Sequence, residues 1–249
     1  MTQSPSMTVR PAGSGKRPDH EPPGPDAAIT RRLLVWGAIA GPLFVIVALA
    51  QALTRPGFDL TRDAISLLEN GSWGWVQVTS FIVTGLLFIV AAAGLRRTLR
   101  TGPGRTWIPR LVTVVGAGLA GGGVFHPDPS SGFPPGTPAG ASAVASWHGV
   151  LHMVCGSAAF LALIAVCFVL ARRYSSRRHR GWAACSRAAG GLCAAGIAAS
   201  GAPHGSLSLF IGVSIAMIWV ALTSARLITE QTKAAAAGAR APRRQPAAG

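Results

Sequence analysis

A chain of 249 residues that is 49% hydrophobic and only 12% charged, with a mean hydropathy of +0.41, is too apolar for an ordinary soluble domain. The formal net charge of +15 would suit a nucleic-acid binder, but the basic residues cluster beside apolar runs rather than along one face, so nucleic acid is excluded in favour of topogenic signals. Four cysteines without a CxxC pair, and the lack of a Walker loop, a GxSxG elbow or a dinucleotide fingerprint, leave disulfide and nucleotide chemistry without support.

Residues 1–30 are polar and proline-rich and read as a disordered cytoplasmic tail. The apolar run that follows is too long for a signal-peptide core and is succeeded by others, so no cleavable leader is expected. A bilayer core needs about 20 helical residues. Six segments within residues 31–228 meet that length: 33–53, 76–95, 108–125, 148–171, 183–201 and 207–227. The third and fifth are rich in Gly and Ala, with Gly118 and Gly122 at GxxxG spacing, and read as inner helices in close contact with their neighbours. Trp73, Trp75, Trp107, Trp147 and Trp182 stand at segment ends, where amphipathic rings favour the headgroup region. Residues 229–249 read as a second disordered cytoplasmic tail. The expected fold is therefore all-α, a polytopic six-helix transmembrane bundle.

Charge sets the expected orientation. Arg31 and Arg32 precede the first helix, and Arg96, Arg97, Arg100, Arg105 and Arg110 surround the second loop. The fourth loop holds Arg172, Arg173, Arg177, Arg178 and Arg180, and basic residues follow the last helix. The first loop balances Arg55 and Arg62 against Asp59, Asp63 and Glu69, and the third carries Asp128 with no Lys or Arg. Because basic loops stay inside, both termini are expected to be cytoplasmic, with loops one, three and five outside. Arg187, one turn from the cytoplasmic end of its helix, can snorkel to the interface.

The outer loops collect the unusual residues. In RPGFDLTRDAISLLENGSWGW, Leu60, Ala64, Leu67 and Leu68 share a helical face while Asp63 and Glu69 project elsewhere, which predicts a short amphipathic helix on the outer surface. The third loop, HPDPSSGFPPGTPAGASAVASWHGVLH, starts stiff with proline and suits a fixed lid or docked plug. His126 and Asp128 begin it, and His148 and His152 end it at HxxxH spacing, one helical turn apart. His204 lies in the tight fifth loop. Asp59, Arg62, Asp63, Ser66, His126, Asp128, His148, His152 and His204 are thus expected to form a polar pocket on the outer face, since ionisable groups at a membrane edge usually pair or serve a site. Arg62 is expected to pair with Asp63 or Asp128. The helix centres carry essentially no ionisable residue, which disfavours proton-coupled transport.

These motifs carry a resemblance. RPGFDLTRDAISLLENGSWGWVQ, then GAGLAGGGVFHPDPSSGFPPGTP and SWHGVLH, resemble the bacterial membrane-protein family catalogued as domain of unknown function 998. Asp59, Arg62 and Ser66, then Phe125, Asp128 and Pro129, the run 132–138, and Leu151 with His152 carry the likeness. It implies a six-helix integral membrane protein, a bacterial inner (plasma) membrane location, and no established activity.

A weaker likeness, to membrane hydrolases of the alkaline-ceramidase type, has His148, His152, His204, Asp128 and Ser66 as counterparts by residue type, although those proteins have seven helices and a late HxxxH pair. Three functions follow as expectations. The first is a membrane protein whose outer pocket binds a lipid headgroup or small solute. The second is a metal-dependent lipid hydrolase, in which His148, His152, His204 and Asp128 would hold zinc and, with no HExxH glutamate present, an outer Asp would act as base. The third is a haem or quinone redox protein, which the one-ended histidine set favours least.

Overall fold

The structure is a computed structural model that describes residues 25–140 and 144–240. Six helices dominate it: α1 Pro25–Thr54, α2 Gly74–Thr98, α3 Trp107–Val124, α4 Trp147–Ser176, α5 Arg180–Ala198 and α6 Gly205–Arg240. Two short 3-10 turns, Ile65–Glu69 and Ala199–Gly201, complete the regular structure. Among the described residues no strand forms, and Ser130 and Phe133 make a single isolated bridge. In helices every interior backbone group is paired locally, which is what an apolar sequence in lipid requires. Five of the six, all but α5, are long and apolar enough to cross a membrane. Arg180 and Arg187 hold α5 below that mark. The chain is a multi-pass membrane protein.

The helix positions follow the apolar runs, with two extensions. Residues 25–30 and 229–240, expected as tail, continue α1 and α6 as helix. The sequence there has no breaker once Pro25 has opened the first turn, a position where proline costs no hydrogen bond. The remainder of each tail lies outside the described residues.

Packing runs in chain order around a ring: α1 on α2, α2 on α3, α3 on α4, α4 on α5, α5 on α6, and α6 back on α1. The Gly-rich helices α3 and α5 are therefore ring members between two neighbours, not inner helices enclosed by the rest. Their small residues set close approach within the ring. A Cβ on Gly116 would meet the Gly85 carbonyl, and one on Gly196 would meet the Ser208 carbonyl. Gly118 packs against Cys155 and Ala159, but Gly122 opposite His152 leaves room for that ring.

The arginine-rich end is knitted together by long-range contacts. Buried Arg173 donates to the Thr101 and Pro103 carbonyls, closing the second loop onto α4. Arg226 lies 4.4 Å over Trp182, which also packs against Trp219, so Trp182 is a packed residue as well as one at the start of α5. Trp73, Trp75, Trp107 and Trp147 remain exposed at helix starts. Arg187 reaches back to the Ser175 hydroxyl, near the end of α4.

Candidate functional site

The first loop folds inward over the opposite end of the ring. Asp59 accepts from the backbone and hydroxyl of Thr61, and these bonds, the side-chain one first, hold its carboxyl below the usual range. Asp63 is fully buried and takes both arms of Arg62, Nε and Nη2, at 2.9 Å, with the Asp59 amide as a third donor. Arg62 also donates to the Gly57 carbonyl, and Ser206 at the start of α6 donates to the Arg62 carbonyl. Asp63, not Asp128, is therefore the partner of Arg62. Arg55 turns the other way, to the carbonyls of Leu68 and Asn70, with its guanidinium 5.4 Å over the Phe133 ring.

The predicted amphipathic helix is a 3-10 turn instead, and this changes which side chains point in. A 3-10 turn advances three residues per turn and stacks i on i+3. Leu67 and Leu68 are buried as expected, but Glu69 is buried with them, at 4% exposure. Asp63 and Glu69 do not project away from the bundle as the helical reading had it. The third loop covers this turn. Phe133, 1% exposed, packs with Leu67, Leu68 and Phe58, so the proline-rich segment is a docked plug.

Beneath the cap lies the least satisfied polar group in this region. Neither oxygen of Glu69 has a hydrogen-bond partner, and its nearest ionisable neighbour is His152 Nδ1 at 3.9 Å. Burial pushes the Glu69 pKa from 4.5 up to about 9, so the group is a neutral acid at pH 7. His152 Nδ1 sits 2.8 Å from the Phe125 carbonyl and 3.0 Å from that of Gly122. Two acceptors at one nitrogen require that nitrogen to carry a proton. Close by, Gln51 of α1 donates to Gln77 of α2 at 2.6 Å, and the remaining amide atoms of both are buried without partners.

Asp128 has a different task. Its carboxylate accepts from the Ser146 amide at 2.9 Å while the Ser146 hydroxyl caps α4 by accepting from Gly149. Hydrogen bonds from Ser146, side chain first and then backbone, lower its pKa. His148 stacks against Trp147 and Phe125, while His126 and His204 are exposed. Among the described residues no three His, Cys, Asp or Glu side chains are gathered to hold a metal ion. The structure thus does not assemble His148, His152, His204 and Asp128 into a ligand set. One helical turn brings the two α4 histidines onto one face, but His152 is turned to the carbonyls of α3's end and His148 to aromatic rings.

Two cavities meet at His152. The outer, about 750 Å³, is lined by Arg62, Asp128, Ser130 and Ser131 and by exposed apolar residues of α4, Val150, Met153 and Val154. The inner, about 350 Å³, receives residues from all six helices, among them Phe44, Phe81, Leu119, Phe160, Ile197 and Phe210. Ala64, Ser66, His152, Met153, Ser157 and Ser206 line both. A vestibule that carries a few polar groups on a largely apolar wall therefore continues into an apolar chamber, with the His152 ring at the junction.

The family described as "Protein of unknown function (DUF998)" matches residues 38–226, which takes in every cavity-lining side chain. The chain belongs to this family. No curated protein and no solved structure matches it. Of the residues expected at the outer site of this DUF998 protein, Arg62, Ser66, Asp128 and His152 line the cavities, Asp63 supports Arg62 from behind, and Asp59, His126, His148 and His204 lie outside the lining. Sequence reasoning missed Glu69, Gln51, Gln77 and the anchor Phe133. The two glutamines did leave a signal, as isolated amides at the ends of apolar runs next to the first loop, where a polar side chain in lipid would be expensive. Glu69 left none, because a loop glutamate beside Asn70 and Gly71 reads as a solvated one.

Proposed function

We propose that this DUF998 protein crosses the membrane six times with both termini on the arginine-rich, cytoplasmic side, and that its outward-facing cavity binds an amphiphile drawn from the bilayer. For the sixth crossing, the 19 residues of α5 give about 28 Å of helix at 1.5 Å per residue, close to the roughly 30 Å hydrocarbon core. Arg180 opens α5 at the arginine-rich end, and Arg187, about two turns in, reaches back toward that end to the Ser175 hydroxyl. Alternating basic and acidic loops support the orientation, and the cell membrane is the corresponding location.

The observation that carries the binding reading is the continuity of a vestibule holding Arg62, Asp128 and serines on a largely apolar wall with a chamber lined by phenylalanines. A soluble polar ligand would gain nothing from the phenylalanine-lined interior, and a plain hydrocarbon nothing from Arg62, Asp128 and the serines. A molecule with a small head and a chain uses both. Its route is lateral, because Val150, Met153 and Val154 are exposed apolar residues on the vestibule wall. Both cavity volumes fall in the range of small-molecule sites, roughly 300–1,000 Å³.

Gly156 supplies the test. It lines the inner cavity, and a Cβ there would meet nothing within 4 Å, so Gly156→Phe fills the chamber without displacing backbone. Lipid extracted from detergent-purified protein and analysed by mass spectrometry is expected to show a bound amphiphile in the wild type that falls severalfold in Gly156→Phe, with thermal stability kept. Equal lipid in both proteins, or none above an unrelated membrane protein, would reject the reading. Reporter fusions test the topology independently: one after Arg100 should report the cytoplasm and one near Gly136 the exterior.

A further inference from the structure

The vestibule has an uneven supply of charge. Its one described cation, Arg62, is paired through Nε and Nη2 with buried Asp63, so its charge is already balanced, and Nη2 also reaches the Gly57 carbonyl. Arg55 faces away, toward the Leu68 and Asn70 carbonyls and the Phe133 ring, and does not line either cavity. The third loop brings no Lys or Arg. Asp128, by contrast, lines the vestibule as a carboxylate whose bonds from Ser146 favour the ionised form, and among the described residues no arginine or lysine pairs with it.

The other polar groups at the junction fit the same ligand. Hydroxyls of Ser66, Ser157 and Ser206 line it and accept as readily as they donate. His152, with Nδ1 committed to two carbonyls, has Nε2 left for a ligand. The start of α4 would ordinarily attract an anion, but Asp128 and Ser146 already occupy that end. An anionic head would meet the Asp128 carboxylate and a guanidinium whose charge Asp63 already balances; a cationic head would meet a carboxylate that no described arginine or lysine balances.

We infer that the preferred ligand is a single-chain amphiphile with a protonated amine head, its ammonium beside Asp128 and reaching toward His152 Nε2, and its chain in the phenylalanine-lined chamber. This rests on the amphiphile-binding reading above and adds the sign of the head's charge.

The test holds the chain constant and changes the head. Protein in nanodiscs of zwitterionic lipid is titrated with radiolabelled dodecylamine, empty nanodiscs are subtracted, and dodecanol and dodecanoate serve as competitors at pH 7.5. Dodecylamine is expected to bind about tenfold more tightly than dodecanol, with dodecanoate weakest; that is about 1.4 kcal/mol. Asp128→Asn keeps an oxygen for the Ser146 amide and is expected to bring dodecylamine affinity down to that of dodecanol. Dodecanoate competing as well as the amine overturns the inference and leaves amphiphile binding intact. If none of the three binds, the amphiphile reading falls with it. An amine preference that persists in Asp128→Asn overturns the assignment to that carboxylate. Loss of dodecanol binding as well would mark a folding defect in the variant, and the head series on the unaltered protein then decides the charge preference alone.

Discussion

Glu69→Gln isolates the buried acid under the cap. In the folded chain the Glu69 carboxyl is 4% exposed, has no hydrogen-bond partner, and is pushed by burial from 4.5 up to about 9. The unfolded carboxyl titrates at the lower value. Between the two, the folded state holds a proton that the unfolded state has released, so stability is fully present below about 4.5 and falls as pH rises toward 9. At about 1.36 kcal/mol per pH unit, the loss reaches roughly 3 kcal/mol by pH 7 and roughly 5 kcal/mol by pH 8. Glutamine has nearly the same shape and does not titrate. Melts of detergent-purified wild type and Glu69→Gln, followed by tryptophan fluorescence, should differ little at pH 5 and diverge steadily to pH 8, the variant being more stable. For a chain of this size the gap at pH 8 is on the order of 10 °C. The histidines titrate in the same window but are common to both proteins, so the difference between the two curves belongs to Glu69. A constant offset across pH would refute the reasoning, since it would mean that solvent or a partner holds the carboxylate charged inside the fold.

Three further substitutions test the packing that builds the site. Phe133→Ala empties the hydrophobic contact between the two outer loops and should cost roughly 3 kcal/mol, with faster proteolysis near residues 130–140 as the local readout; unchanged cleavage would mean that the plug is not docked. Gly85→Val puts a branched side chain against the Gly116 carbonyl and Ala120, where overpacking should cost about 1–3 kcal/mol, measured by thermal melting against Gly156→Phe as the tolerated counterpart. The double change Gln51→Met with Gln77→Leu removes a buried amide pair along with its unpartnered atoms, so stability should stay within about 1 kcal/mol of wild type; a larger loss would show that those amides bind something the pair alone does not account for.

The bundle was legible in the sequence because lipid imposes a single rule on it. An apolar run of about twenty residues must be helical, so the segment at 76–95 returns as α2 Gly74–Thr98 and that at 148–171 as α4 Trp147–Ser176. Ends were less legible, because helix continues into water wherever no residue stops it, as residues 229–240 do in α6. The candidate site was legible by location but not by role. HxxxH spacing placed His148 and His152 on one face, but spacing carries no information about the α3 carbonyls that capture one ring or the aromatic pair that captures the other.

Glu69 shows why the remainder was hidden. Ionisable side chains are sparse along the helices, Arg187 near the middle of α5 being one exception. The acid reaches the interior by another path, carried there by a loop. Leu67 and Leu68 pull the 3-10 turn down, Phe133 closes over it, and Arg55 fixes its carbonyls, so the cost of burying Glu69 is set against the burial of three large apolar side chains. Whether an acid lies on a membrane surface or beneath it thus depends on the phase of one five-residue turn, three residues per turn rather than 3.6, which hydropathy does not report. The same turn places Ala64 and Ser66 in the walls of both cavities and ties them, through the Arg62 carbonyl and Ser206, to α6. Loosening the turn would therefore release the acid and widen the cavity together, so the pH response of stability in Glu69→Gln and the proteolysis of Phe133→Ala report on one structural unit.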